Sequence, residues 1–213
     1  MKKIIFISIM LCCSICLGQS YFFNKEIIYN CSNARESQDS TYENRRYFIN
    51  TENSKIVAIL IDKGEDRYKM IFRDDKKDRI AEVSLDNFII SENGNLDISR
   101  SYLVHNSYHG IRNLKDYEIK AERLDSSTTK FVYSYSKKSN PRNITSHTLH
   151  TTDVKFSIHS GIGFGDYYSR LKWDKELKNK LIIRAYTNRK DGSITDDNRL
   201  ESVRDVQFTI LFK

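Results

Sequence analysis

Histidines come first among the residues that could do chemistry: His105 and His109, His147 and His150, and His159. Two histidines four apart chelate a metal on a helix, but Asn106, Ser107 and Gly110 are poor helix formers. In a strand the same pair lies about 13 Å apart, at roughly 3.3 Å per residue, too far for one ion. His147 and His150, three apart, point to opposite faces of a strand. All five read as surface or strand-face side chains, and no metal or cofactor is expected.

The glycine run Gly161-Ile162-Gly163-Phe164-Gly165 has neither the dinucleotide nor the Walker spacing. Its alternation leaves one apolar face and one bare face, as at a bend or where a backbone or ligand comes close. The acidic clusters Asp74-Asp75-Asp78, Asp62-Glu65-Asp66 and Asp196-Asp197 sit beside turn residues among Lys and Arg, and read as solvated loops. None has calcium-loop spacing, since counting back from Gly192 puts Arg189 and Thr187 where acids belong. No Gly-x-Ser-x-Gly stretch marks a hydrolase serine. A carboxylate pair for sugar cleavage would have to be assembled by the fold. No catalytic residue is assigned.

What must position any site begins with the N-terminus. Met1, the Lys2-Lys3 pair, the apolar run Ile4 to Leu17 and the exit Gly18-Gln19-Ser20 have the three parts of a secretory signal. The run is shorter than the roughly 20 residues of a membrane-spanning helix. The expectation is a leader over residues 1–18, cut before Gln19, with a cut before Ser20 as the near alternative. No transmembrane segment is expected after it. The exit Leu17-Gly18-Gln19 resembles bacterial export signals, which implies a periplasmic or secreted protein. Acylation of Cys16 is the less favoured course, because Ile15 before it fits a lipobox badly.

Three of the four cysteines lie in this leader, so Cys31 is left alone and no internal disulfide holds the fold. Following Ile27, Ile28 and Tyr29, it reads as a small buried hydrophobe. The formal charge of +7 includes Lys2 and Lys3, so residues 19–213 carry +5. The cations are spread, in runs no longer than the pairs Arg45-Arg46, Lys76-Lys77 and Lys137-Lys138. A nucleic-acid partner is not expected. Acidic envelope lipid, polysaccharide or another envelope protein remain as partners.

Thirteen Tyr, eleven Phe and a single Pro describe an ordered chain. Period-two alternation recurs along it, giving eleven to thirteen strands. Ile56 to Ile61 reads as a strand buried on both faces, and Tyr68, Met70 and Phe72 alternate with Lys69, Ile71 and Arg73. Asn93-Gly94 after Phe88-Ile89-Ile90 is a hairpin signal. Ser32 to Asn44 reads as a loop, Val154 to Ile158 as a strand, and Asp174 to Lys180 as one or two helical turns. Leu114 to Leu124 fits helix and strand equally. The fold class expected is all-β: antiparallel strands in a curled sheet, a half-barrel or barrel or a two-sheet sandwich, with at most one or two short helices. Residues 19–213 are expected to form one domain, with 137–142 around Pro141 as the one place to divide it.

Three functions fit this chain. The first is an exported, non-enzymatic β-protein of the bacterial envelope or extracellular space that presents a binding surface. The second is a carrier of lipid or another apolar ligand in a β-lined cavity, with Phe131, Tyr133, Tyr135, Phe164 and Trp173 as the ligand side. The third is an extracellular hydrolase.

Overall fold

The computed structural model describes residues 19–33, 41–74, 79–86, 88, 94–98, 117–135, 144–158, 177 and 179–212. They form eleven strands and no helix: β1 (Gln19–Asn33), β2 (Thr41–Asn50), β3 (Asn53–Asp62), β4 (Tyr68–Asp74), β5 (Arg79–Leu85), β6 (Asn95–Ile98), β7 (Tyr117–Arg123), β8 (Thr128–Tyr135), β9 (Ile144–Asp153), β10 (Lys180–Arg189) and β11 (Ile194–Phe212). One sheet holds them all, in the order β5-β4-β3-β2-β1-β11-β10-β9-β8-β7, with β6 beside β11. It is an open, curled sheet, antiparallel everywhere except at β6, which runs parallel to Thr209–Phe212.

Its turns are written in the sequence. After β3, Gly64, Glu65 and Asp66 all take positive φ, and Asp62 Oδ1 accepts the Gly64 amide at 2.8 Å. Between β10 and β11, Gly192 has φ +82° and Asp191 Oδ1 accepts the Ser193 amide at 2.9 Å. Such side-chain acceptors fix tight turns without help from the rest of the fold.

β1 and β11 are the longest strands and pair along nearly their whole length, with two irregularities. Odd-numbered Tyr21 and Phe23 enter one core, while odd-numbered Ile27, Tyr29 and Cys31 enter another. Strict alternation would send all five to one face. The register break between Phe23 and Lys25 reassigns them. Beyond it, the N-terminal end of β1, the C-terminal end of β11 and β6 lie across the face of β2–β5. The Tyr21 and Phe72 rings are 4.4 Å apart, Phe48 and Phe208 4.7 Å, and Phe72 and Phe212 5.1 Å. This first core also takes Leu60, Met70, Val83, Leu96 and Ile98.

The second core covers the opposite face of β1–β3. Val154, Phe156 and Ile158 pack there with Ile27, Ile49, Val57, Ile59 and Leu181. Wholly buried Tyr29 donates its hydroxyl to the Ile182 carbonyl at 2.6 Å, and burial pushes its phenol pKa well above the ordinary value. Cys31 is buried, as its apolar context predicts.

Three local expectations change. Val154–Ile158 alternates as read, but it packs on the sheet as a covering segment outside any strand. β1 reaches Asn33 and β2 begins at Thr41, which shortens the loop read over Ser32–Asn44. Most of the hairpin signal read from Phe88-Ile89-Ile90 to Asn93-Gly94, residues 89–93, lies outside the described residues. Gly94 has φ +74°, a Cβ there would come within 3.2 Å of the Gln207 carbonyl, and the chain leaves it parallel to β11. Tyr117–Arg123 is a strand, because pairing with Thr129–Tyr135 decides a stretch whose local pattern fits both periods.

The aromatic contacts predict unequal costs. Phe72→Ala is expected to lower the unfolding free energy by about 3–5 kcal/mol in urea titration. Val203→Ala, at a side chain 37% exposed, should change it by less than about 0.5 kcal/mol. Equal effects would contradict the packing described.

Candidate functional site

Strand register brings the polar side chains of six strands to one face. Glu26 stands opposite Arg204 on β11, and Arg46 lies one position diagonal to it on β2. Further along, Asn30 faces Arg199, Arg199 faces Arg184 on β10, Arg184 faces His150 on β9, and His150 faces Thr128 on β8. Arg199 and Arg204 are five apart and would point to opposite faces in a regular strand. The register break that sets Ile28 against Ser202 but Tyr29 against Leu200 leaves Glu201 unmatched and returns them to one face.

Two clusters result. In the first, the Glu26 carboxylate accepts Nε of Arg46 on one oxygen and Nε of Arg204 on the other. The Arg46 guanidinium also lies over the Phe48 ring at 5.4 Å and the Phe88 ring at 5.1 Å. Bonding to Glu26, and then its charge, raise the Arg204 pKa.

In the second, Arg184 forks onto Asp197, Nε to Oδ1 and Nη2 to Oδ2, both at 2.9 Å. Arg199 adds Nη2 at 2.8 Å and Nε at 3.1 Å to Oδ2. Partial burial raises the Asp197 pKa, but the hydrogen bonds and charges of the two arginines outweigh it, so the carboxyl sits below its ordinary range. The Arg184 guanidinium lies 4.8 Å from the Tyr186 ring centroid, and the His150 ring is 5.9 Å from that ring. The Thr128 hydroxyl is 3.2 Å from His150 Nδ1.

Burial sorts the charges. Side-chain exposure is 64% for Arg199, 56% for Arg204, 38% for Arg184 and 30% for Arg46, against 14% for Asp197 and 1% for Glu26. Four guanidiniums share two sunken carboxylates, so solvent meets cations. The face can bind and orient an anion.

Asp197 and Asp74 correct the reading of their clusters as solvated loops. Asp197 is a strand residue sunk between arginines. Asp74 ends β4, 2% exposed, and its Oδ2 is 3.4 Å from the Tyr21 hydroxyl. His147 and His150 do take opposite faces, His147 against the Thr187 hydroxyl at 2.8 Å. Among the described residues no group of three His, Cys, Asp or Glu is placed to hold a metal. Phe131, Tyr133 and Tyr135 lie on β8, opposite His147 in the case of Phe131, but their side chains are outside the described residues, as are Phe164 and Trp173. The leader, the glycine run and His105, His109 and His159 are outside them too. The sequence signal that marks the arginine face is Asp197 with Arg199 at strand spacing after it.

No family model matches the chain, and no curated protein matches it in sequence. Among solved structures it is similar to a LolA superfamily protein from Nitrosomonas europaea, at 10% identity over 86% of this chain and 87% of that one, with a TM-score of 0.34. It is similar also to a domain described as an outer membrane lipoprotein-sorting protein from Vibrio parahaemolyticus, at 12% identity over 88% and 85%, with a TM-score of 0.30. At these scores the likeness carries nothing about what this chain binds.

The lowered Asp197 pKa has a definite sign in stability. As pH falls, the unfolded chain takes up this proton first, so the contribution of Asp197 is complete above about pH 4 and is lost below it. Thermal melts of wild type and Asp197→Asn should differ most near neutral pH and converge toward pH 2. A difference that grew in acid would contradict the assignment.

Proposed function

We propose that this chain is an exported, non-enzymatic β-protein that acts by binding, and that its partner is an anionic lipid engaged through the arginine face. One observation carries this reading: two clusters on one sheet face sink their carboxylates and leave their guanidiniums to solvent. Oxygen anions are the groups that guanidinium forks recognise. Lipid is preferred to polysaccharide because Ile194, which stands opposite Asn188 on the face of Arg184 and Tyr186, is 47% exposed. An amphiphile matches cations and bare apolar side chains together. Export rests on residues 1–18.

The aromatic core supports a second reading, carriage of an apolar ligand between the β1–β11–β6 layer and β2–β5. In the described residues that space is filled by Phe23, Phe48, Phe72 and Phe208, so carriage requires these rings to part. The residues the sequence assigns to an apolar ligand, Phe131, Tyr133, Tyr135, Phe164 and Trp173, are a different set, and the first three lie on β8 toward the other end of the strand order.

Sedimentation with vesicles tests the first reading. The chain from Gln19 to Lys213 should pellet with phosphatidylglycerol vesicles and not with phosphatidylcholine, and salt near 0.5 M should release it, since screening then acts within about 4 Å. Equal binding to neutral vesicles, or retention on an acidic polysaccharide alone, would overturn it.

A further inference from the structure

We infer that Arg184 and Arg199 form an anchor for one phosphate-class oxyanion, the phosphate ester of a head group, and that the Glu26 cluster is its structural counterpart. The inference deepens the binding reading and rests on it.

The two clusters look alike in composition but differ in what they leave free to act. Glu26 is wholly buried, and Arg46 rests against the Phe48 and Phe88 rings as well as on the carboxylate. Those contacts hold β1, β2 and β11 together. At Asp197 the arrangement is open. Arg184 and Arg199 stand directly opposite each other on adjacent strands, and each uses Nε and Nη2 on Asp197. Their Nη1 groups are not spent on that carboxylate. Asp197 therefore fixes two planar forks at one point of the face and cancels only one of their two charges. The Tyr186 ring supports the Arg184 plane, so little side-chain freedom remains to be lost when a ligand arrives. His150 and the Thr128 hydroxyl continue the same face beyond Tyr186. Two converging forks suit a tetrahedral oxyanion with several acceptor oxygens better than a single carboxylate.

A cationic control exists on the other face. Register puts Arg123 opposite Thr129 and Lys180 opposite Asp153, on the side of the sheet that carries His147 and Leu149. They line a shallow depression with Ser126, Thr129 and Thr151.

The test is calorimetric titration of the chain from Gln19 to Lys213 with dihexanoyl phosphatidic acid, inorganic phosphate and dihexanoylglycerol. Wild type should bind the phosphate lipid and not the diacylglycerol. Arg184→Gln with Arg199→Gln should weaken it at least about tenfold, given the strength of hydrogen bonds to charged groups. Arg184→Lys with Arg199→Lys keeps the charge and loses the forks, and should also weaken it. Arg123→Gln with Lys180→Gln should leave it unchanged. A measurement on wild type alone guards against misfolded variants: bound phosphate lipid should protect Arg184 and Arg199 from phenylglyoxal, read by peptide mass. Undiminished affinity in the double glutamine variant, or unprotected arginines under saturating lipid, would overturn the anchor while leaving anionic-lipid binding intact. Inorganic phosphate binding as tightly as the lipid at these arginines would support the oxyanion anchor and remove the head group as its source. No binding of either phosphate compound would overturn the anchor, and vesicle binding by the same preparation then decides separately whether the lipid reading falls with it.

Discussion

A strand gives each side chain only two directions, and in the β1–β11 ladder that choice is revised twice. The break near Asn24 sends Tyr21 and Phe23 to one core while Ile27, Tyr29 and Cys31 go to the other. The break at Glu201 returns Arg199 to the face of Arg204. A one-residue change of register inverts every side chain beyond it, so these two breaks determine both which residues are core and which are surface. Without the first, the end of β11 could not lay Phe208, Ile210 and Phe212 over β2–β5. Without the second, the arginines would be divided between faces.

The same ladder explains why charges are tolerated so near two apolar cores. A buried carboxylate is costly unless paired and hydrogen-bonded. Glu26 has a guanidinium on each oxygen, and Asp197 receives four N–H donors. The arginines escape the penalty by reaching solvent, with their stems along the sheet. Each cluster thus ends with its negative charge inside and its positive charge outside. That polarity is a product of packing, and the proposed binding of an anion rests on it.

The sequence made the strands legible wherever one local signal sufficed. The run Ile56 to Ile61 is buried from Val57 onward because both sheet faces are covered there. Asp191-Gly192 is the turn it resembles. Local signals failed where a distant partner decides. Nothing local to Asn95–Ile98 announces that β6 pairs in parallel with β11, more than a hundred residues later. Val154, Phe156 and Ile158 alternate because they face a core, which a covering segment does as well as a strand. Asp197 reads locally as a loop acid because its partners Arg184 and Arg199 reach it only across the β10–β11 pair and along β11. Asp197 and Arg199 mark one end of the arginine face, but its extent was illegible, since the odd spacing of Arg199 and Arg204 becomes a shared direction only through a bulge that no residue type announces.

The most direct measurement is amide chemical-shift mapping of the isotopically labelled chain, Gln19 to Lys213, during titration with short-chain phosphatidylglycerol. The account predicts shifts that concentrate at Arg184, Tyr186, Asp197, Arg199 and Arg204, with Arg123 and Lys180 on the reverse face unmoved. Shifts centred on Phe23, Phe72 and Phe208, or spread equally over both faces, would contradict it.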